Sequence, residues 1–471
     1  MREDEATGGG AETTASVTRL LDDAARRAQR YLAGLDARSA APAPEALERL
    51  ARLDEALPDR PSAPDAVIAL LDDIGSPATT ATAGPRFFGW VTGGALPAAL
   101  AANWLAAAWD QNVVRWEASP IGAMLEEVAL RWLVELFGLP ADCGGAFVTG
   151  ATMANLAGLA AGRNHVLRAV GWDVEADGLF GAPPITVILG AEAHVAVFKA
   201  LGLLGLGRAR VVTVPADAEG RMRADRVPAI AGPTILCLQA GNVNTGASDP
   251  LAEIGARARA AGTWVHVDGA FGLWAAAAPR RAHLVRGLAE ADSWATDAHK
   301  WLNVPYDSGL AFVRDKEALR RAMSVAAAYL PEGERREPGH YTPELSRRAR
   351  GVEVWATLKS LGRAGLADLV DRTCAHATRF AEGLRAAGYN VLNDVVLNQV
   401  LVSFGDDDTT RRVIDRLRAD GTCWCGGTVW QERYAMRISV SSWATTTADV
   451  ERSLAAMMRI AAEVRRERAG T

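Results

Sequence analysis

From about Gly145 onward, short runs of apolar and β-branched residues alternate with longer segments of helical periodicity. The runs are Ile185–Leu189, Val211–Val214, Thr234–Leu238, Trp264–Val267 and Ser308–Val313, with a further one over Ser293–Thr296. Such alternation predicts a mostly parallel sheet covered by helices on both faces, an α/β fold. Ahead of it lie alanine-rich amphipathic segments, Val17–Leu35 and Pro44–Ala56, and a short helix over Pro64–Ile74. From about Leu358 the pattern turns helical again. The runs Tyr389–Leu392, Val400–Ser403 and Met436–Val440 then predict a smaller α+β unit. The expected organisation is a flexible start and helical segment over 1–84, a large domain over 85–357 and a small C-terminal domain over 358–471, with no internal repeat.

Composition narrows the partners more than the fold. With 471 residues and 49% hydrophobic content the chain can bury a sizeable core and exceeds one compact domain. A net charge of -5 gives no reason to expect nucleic acid or an anionic membrane as partner. The longest apolar stretch, Ala95–Trp109, contains Pro97 and Asn103 and is too short to span a bilayer. The first ten residues are acidic and glycine-rich, unlike a signal peptide. Five scattered cysteines have no spacing that suggests a disulfide framework or a metal site. A reducing cytoplasm is the expected setting.

Several polar groups fall where strands end, and in open α/β sheets ligands bind beyond those ends. Asp268 closes the run Trp264–Val267, His194 follows Ile185–Leu189 after a short turn, and Lys300 follows Ser293–Thr296. A lysine that condenses with an aldehyde and a carboxylate that holds a pyridinium proton together suit pyridoxal phosphate. In Thr149-Gly150-Ala151-Thr152 a strand passes into a helix, whose first N–H groups and the Thr152 hydroxyl would cradle a phosphate. Helix capping alone explains the same residues. Neither a dinucleotide fingerprint nor a Walker loop is present.

The ordered set Thr149-Gly-Ala-Thr-Met-Ala-Asn155, His194, Asp268-Gly-Ala270 and His299-Lys300-Trp301 resembles the group II pyridoxal-phosphate decarboxylases. That family includes the aromatic-amino-acid, glutamate, histidine and diaminobutyrate decarboxylases. The likeness runs from about Pro85 to the C-terminus and takes in Ala118-Ser119-Pro120, Glu126, Trp132, Ser346-Arg347-Arg348 and Trp355. The resemblance implies the aspartate-aminotransferase-like fold, called fold type I, and a homodimer with active sites at the subunit interface. It makes Lys300 the lysine linked to pyridoxal 5'-phosphate and Asp268 the partner of the pyridine nitrogen. By the same resemblance His194 stacks on the ring, Ala270 packs on its other face, and Gly150, Ala151, Thr152 and His299 surround the phosphate.

The implied reaction is α-decarboxylation of an L-amino acid to its amine, with an aminotransferase or aldolase as the alternative on the same scaffold. A non-catalytic binding role fits less well, since Lys300 and Asp268 are both intact. In the aromatic decarboxylases a loop tyrosine returns a proton to Cα, and Tyr341 stands at the matching place in a loop shorter than theirs. His340 and Tyr329 are the substitutes, and a solvated loop tyrosine is the plainer reading. Thr92 resembles the family's substrate-carboxylate contact. Asn112, in a segment that is bulky and apolar in aromatic decarboxylases, makes the substrate wall contributed by the neighbouring subunit more polar. Asn242 stands where the family has a hydroxyl near the cofactor. Trp104, Trp109 and Trp132 fall at helical positions expected to pack a core.

Overall fold

A computed structural model describes residues 14–325 and 335–469. Its larger sheet is built from β1 (Gly144–Val148), β2 (Thr186–Gly190), β3 (Val212–Val214), β4 (Thr234–Gln239), β5 (Trp264–Asp268), β6 (Ser293–Asp297) and β7 (Gly309–Val313). Their spatial order is β1-β7-β6-β5-β4-β2-β3. Strand β7 runs antiparallel to both its neighbours, while β3, β2, β4, β5 and β6 pair in parallel. Strands β4 to β7 are buried along their whole length, which explains why they read as continuous apolar runs with little alternation.

The two faces of this sheet feed two cores. Val265 and Val267 of β5 and Trp294 of β6 point into one cluster, with Phe147, Trp274 and Phe312. Trp264 and Ala295 point into the other, under the helix Ala151–Arg168. Period two therefore puts Trp264, His266 and Asp268 on the face that this helix covers. Gly158 and Gly162 let it sit close: a Cβ on Gly158 would lie 2.9 Å from His266 Nδ1, and one on Gly162 would lie 2.6 Å from Trp264 Cδ1. Contacts that short force a shift of helix or sheet, so small residues here fix the distance between them.

The second sheet comprises β8 (Asn390–Val391), β9 (Gln399–Ser403), β10 (Gly426–Trp430) and β11 (Arg433–Ser439), all antiparallel in the order β10-β11-β9-β8. It packs with Phe88, Phe380, Met457 and Ile460 in a third core. Strand β10 was not legible in the sequence because its Gly426-Gly427-Thr428 start has neither β-branched density nor clean alternation. The long helix Gly351–Ala386 carries the chain between the two sheets and kinks at Gly362.

The N-terminal segments form the helices Thr14–Ala33, Pro44–Glu48 and Pro64–Ala78. The apolar stretch at Ala95–Trp109 is a helix, Pro97–Trp109, that leaves Trp104 and Trp109 each 41% exposed. The expectation that these two tryptophans pack a core does not hold within one chain. Trp132 does pack, stacked on Trp355 at 6.2 Å. Among the described residues no helix is long and apolar enough to cross a membrane.

Candidate active site

The site gathers at the carboxyl ends of β2, β4, β5 and β6. Asp268 and Asp297 are the last residues of β5 and β6, and both carboxyl groups are buried. Lys300, in the turn after β6, places Nζ 2.8 Å from Asp297 Oδ2. The other oxygen of Asp297 accepts the N–H of Ala151 at 2.5 Å, and His299 Nε2 lies 3.5 Å from it. One carboxylate thus ties the lysine to the start of the helix Ala151–Arg168, where Gly150, Ala151 and Thr152 lie. A helix start of this length attracts anions, and Asp297 takes that place here.

His299 is fixed by its other nitrogen, since Nδ1 accepts the N–H of Ser308 at 3.1 Å. That bond puts the ring proton on Nε2, facing Asp297. Burial holds the imidazole below its ordinary pKa, which keeps it neutral. Its ring packs at 4.3 Å from that of Tyr306.

Asp268 accepts the Ala270 N–H at 3.2 Å. Burial pushes its carboxyl above the ordinary range, against the pull of His194, Lys300, the Ala270 N–H and the Asn155 amide. Such a carboxylate favours a cation placed beside it. His194 caps the helix Val195–Leu203, where Nδ1 accepts the Ala196 N–H at 3.3 Å. Burial lowers its pKa, so a neutral aromatic ring shares a cavity with Asp268 and Cys237. Ala270 is pinned to the end of β6, its carbonyl accepting the Asp297 N–H at 2.9 Å.

The remaining expected residues differ in how they join the site. Thr92 is buried in a loop that lies directly on the lysine segment. A Cβ on the adjacent Gly93 would come within 1.9 Å of the Lys300 carbonyl, so that residue must be glycine. Asn242 spends its side chain on the loop after β4: Oδ1 accepts the N–H groups of Asn244 (2.8 Å) and Thr245 (3.3 Å), and Nδ2 donates to the Glu192 carbonyl. Asn112 is exposed and accepts the Arg347 N–H at 3.1 Å. Tyr341 lies under the Arg336 guanidinium at 4.7 Å and packs against the buried cluster that includes Ala318 and Leu319. Among the described residues no hydrogen bond or ring contact joins it to Lys300, Asp268 or His194. His340 occupies the same short turn, and Tyr329 lies outside the described residues.

Sequence reasoning overlooked two charged residues. Asp297 was signalled by period two along β6, where Ser293, Ala295 and Asp297 share the face of Asp268. Arg437, from β11, reaches the neighbourhood of His194 and donates to the Val243 carbonyl at 3.2 Å. Burial depresses its pKa, and it has no ion-pair partner among the described residues. No local signal marks it, because it arrives from the other sheet.

An amine, a carboxyl buried at a strand end, a neutral ring beside it and the N–H groups of a helix start match an aldehyde, a pyridine nitrogen, an aromatic face and a phosphate. The donor set fits pyridoxal phosphate. The order of the seven strands, with one antiparallel member, and this site define a fold type I enzyme. The family model for the pyridoxal-dependent decarboxylase conserved domain matches residues 44–405, and the chain belongs to that family. It is 28% identical over 407 residues to tryptophan decarboxylase 1 of Oryza sativa subsp. japonica, covering 78% of each chain. It is 26% identical over 435 residues to the aromatic-L-amino-acid decarboxylase of Bacillus atrophaeus, covering 87% of this chain and 88% of that one. The solved structure of Oryza sativa TDC with PLP and tryptamine superposes with a TM-score of 0.89 at 23% identity, covering 97% and 99% of the two chains. The protein is a pyridoxal-phosphate-dependent amino-acid decarboxylase.

Proposed function

We propose that the chain removes the α-carboxylate of an L-amino acid, releasing the corresponding amine, with Lys300 as the residue that carries the cofactor. The observation that carries this reading is the meeting of Lys300, Asp268 and His194 at one sheet edge, beside the helix start at Gly150. The cofactor, when bound, supplies an electron sink for the pair left at Cα as carbon dioxide departs. In this reading Asp268 holds the proton on the ring nitrogen, His194 packs on one ring face and Ala270 on the other. Gly150, Ala151, Thr152 and His299 receive the phosphate, with Asn242 holding the loop nearby.

Thr92 would then hold the substrate carboxylate and fix its orientation. Tyr341 returns the proton to Cα, and Asn112 reaches the site of a neighbouring subunit. A homodimer is supported by the apolar residues that one chain leaves exposed, among them Leu21, Leu57, Leu71, Trp104 and Trp109. Five free thiols suit a cytoplasmic setting.

The test is a panel of L-amino acids scored for carbon dioxide, amine and keto acid, with borohydride trapping of the cofactor and mapping of the modified residue. Carbon dioxide and amine in equal amounts, with label on Lys300, are expected. Keto acid without carbon dioxide would overturn the reaction, and trapping that persists in Lys300→Ala would overturn the residue.

A further inference from the structure

Behind Asp268 lies a line of buried polar groups that the chemistry above leaves unused. Trp264 Nε1 donates to Ser293 Oγ at 2.9 Å, Ser293 Oγ lies 2.8 Å from His266 Nδ1, and His266 Nε2 lies 2.8 Å from Asn155 Oδ1. Asn155, His266 and Ser293 are each wholly buried.

The direction of every bond follows from what each group can do. An indole nitrogen only donates and an amide oxygen only accepts. His266 must therefore carry its proton on Nε2, and Nδ1 must accept the Ser293 hydroxyl hydrogen. The ring stays neutral, for burial drives its pKa down to about 3. One donor is left at the end of the line. Asn155 Nδ2 is buried without a hydrogen-bond partner, and the helix that carries it covers the strand face on which His266 and Asp268 point the same way, so this amide is the donor beside the Asp268 carboxylate and favours its charged form. Turning the amide over would set its oxygen against the carboxylate and leave two acceptors facing each other.

We propose that Ser293, His266 and Asn155 are positioning residues that aim the Asn155 N–H at Asp268, holding that carboxylate charged and oriented for the cofactor's ring nitrogen. The inference rests on the role given to Asp268 above. A donor supplied to one carboxylate oxygen favours the anion, which leaves the shared proton on the ring nitrogen. Gly158 makes the arrangement feasible, since any side chain there would meet His266. The helix Ala151–Arg168 thus serves the site twice, by its first N–H groups and by Asn155 one turn further on.

The holoenzyme is loaded with cofactor labelled at the ring nitrogen with ¹⁵N, and that resonance is compared in the native protein, Asn155→Leu and Asp268→Ala. In Asn155→Leu the resonance should move towards that of neutral pyridine, equivalent to roughly a tenfold shift in the proton's partition. A resonance unchanged in Asn155→Leu overturns the inference. If it moves in Asp268→Ala alone, the role of Asp268 stands without Asn155; if it moves in neither, both fall. In native protein with ¹⁵N-histidine, His266 should show a proton on Nε2 and a bare Nδ1. A proton on Nδ1 reverses the line and overturns the inference without any substitution.

Discussion

Lys300 Nζ and Asp297 Oδ2 are 2.8 Å apart, and the same carboxylate caps the helix that begins at Ala151. The lysine that the chemistry requires is therefore held by a counter-ion occupying the place where a phosphate is expected. A phosphate entering that helix start meets a negative neighbour.

Replacing Asp297 by Asn keeps an acceptor for the Ala151 N–H and removes the charge. Pyridoxal phosphate should then bind roughly fivefold tighter, about 1 kcal/mol, the order of a Coulomb term between charges several Å apart in a polar site. Pyridoxal, which lacks the phosphate, should bind both proteins equally. Titration by the cofactor's absorbance checks both; tighter binding of pyridoxal as well would show that Lys300, and not the phosphate, responds to the change.

Arg347 and Glu126 form a two-pronged ion pair, with Nη1–Oε1 at 2.6 Å and Nη2–Oε2 at 2.8 Å, and both side chains are almost completely buried. Arg347→Met should cost about 3 kcal/mol of stability, because it removes both close hydrogen bonds of a buried carboxylate and leaves it only Arg336 Nη1 at 3.8 Å. The double variant with Glu126→Leu should regain much of that loss. Urea unfolding measures both, and equal losses in the single and double variants would refute the pairing as the cause.

Burial holds the His266 imidazole at about 3, below its value in the unfolded chain. A depressed base gives its full contribution above the unfolded pKa, and stability is lost as pH falls below about 6.5, by up to ~1.4 kcal/mol per pH unit for this group. Urea midpoints at about pH 7.5 and about pH 5 should differ more in the native protein than in His266→Gln. Parallel acid sensitivity in the two proteins would assign the effect to His194 and His299, which burial also depresses.

Tyr341→Phe should keep the ring packed under Arg336, since the 4.7 Å contact involves the ring face alone. On the proposed role of Tyr341 as proton donor to Cα, loss of carbon dioxide should continue while part of the product changes from amine to carbonyl compound and ammonia, with dissolved oxygen as the oxidant. A change in the packing of the Pro338–Tyr341 turn alone would slow all products equally. An unchanged product ratio would leave the role to His340.

The strands of the larger sheet were legible because burial on both faces writes them as apolar runs, and the polar residue ending such a run marks the ligand edge. Asp268, Lys300 and His194 were visible for that reason. Thr92 and Asn112 were visible only through resemblance, since each sits in a loop whose local pattern carries no period. Asp297 was within reach of period-two counting, but a carboxylate three residues before a lysine is unremarkable until the turn after β6 folds Nζ back onto it.

Local pattern thus determined the α/β class, the two-sheet organisation and the positions where strands hand polar groups to the site. Tertiary structure alone decided which of those groups meet. Helix Ala151–Arg168 brings Asn155 onto His266 because Gly158 and Gly162 permit a close approach, and β11 delivers Arg437 to a site built by another sheet. Hydrophobic periodicity records which face of an element is buried, as an average over many weak contacts. A hydrogen bond or ion pair depends on the distance between single atoms far apart in sequence, which is set only when the elements pack.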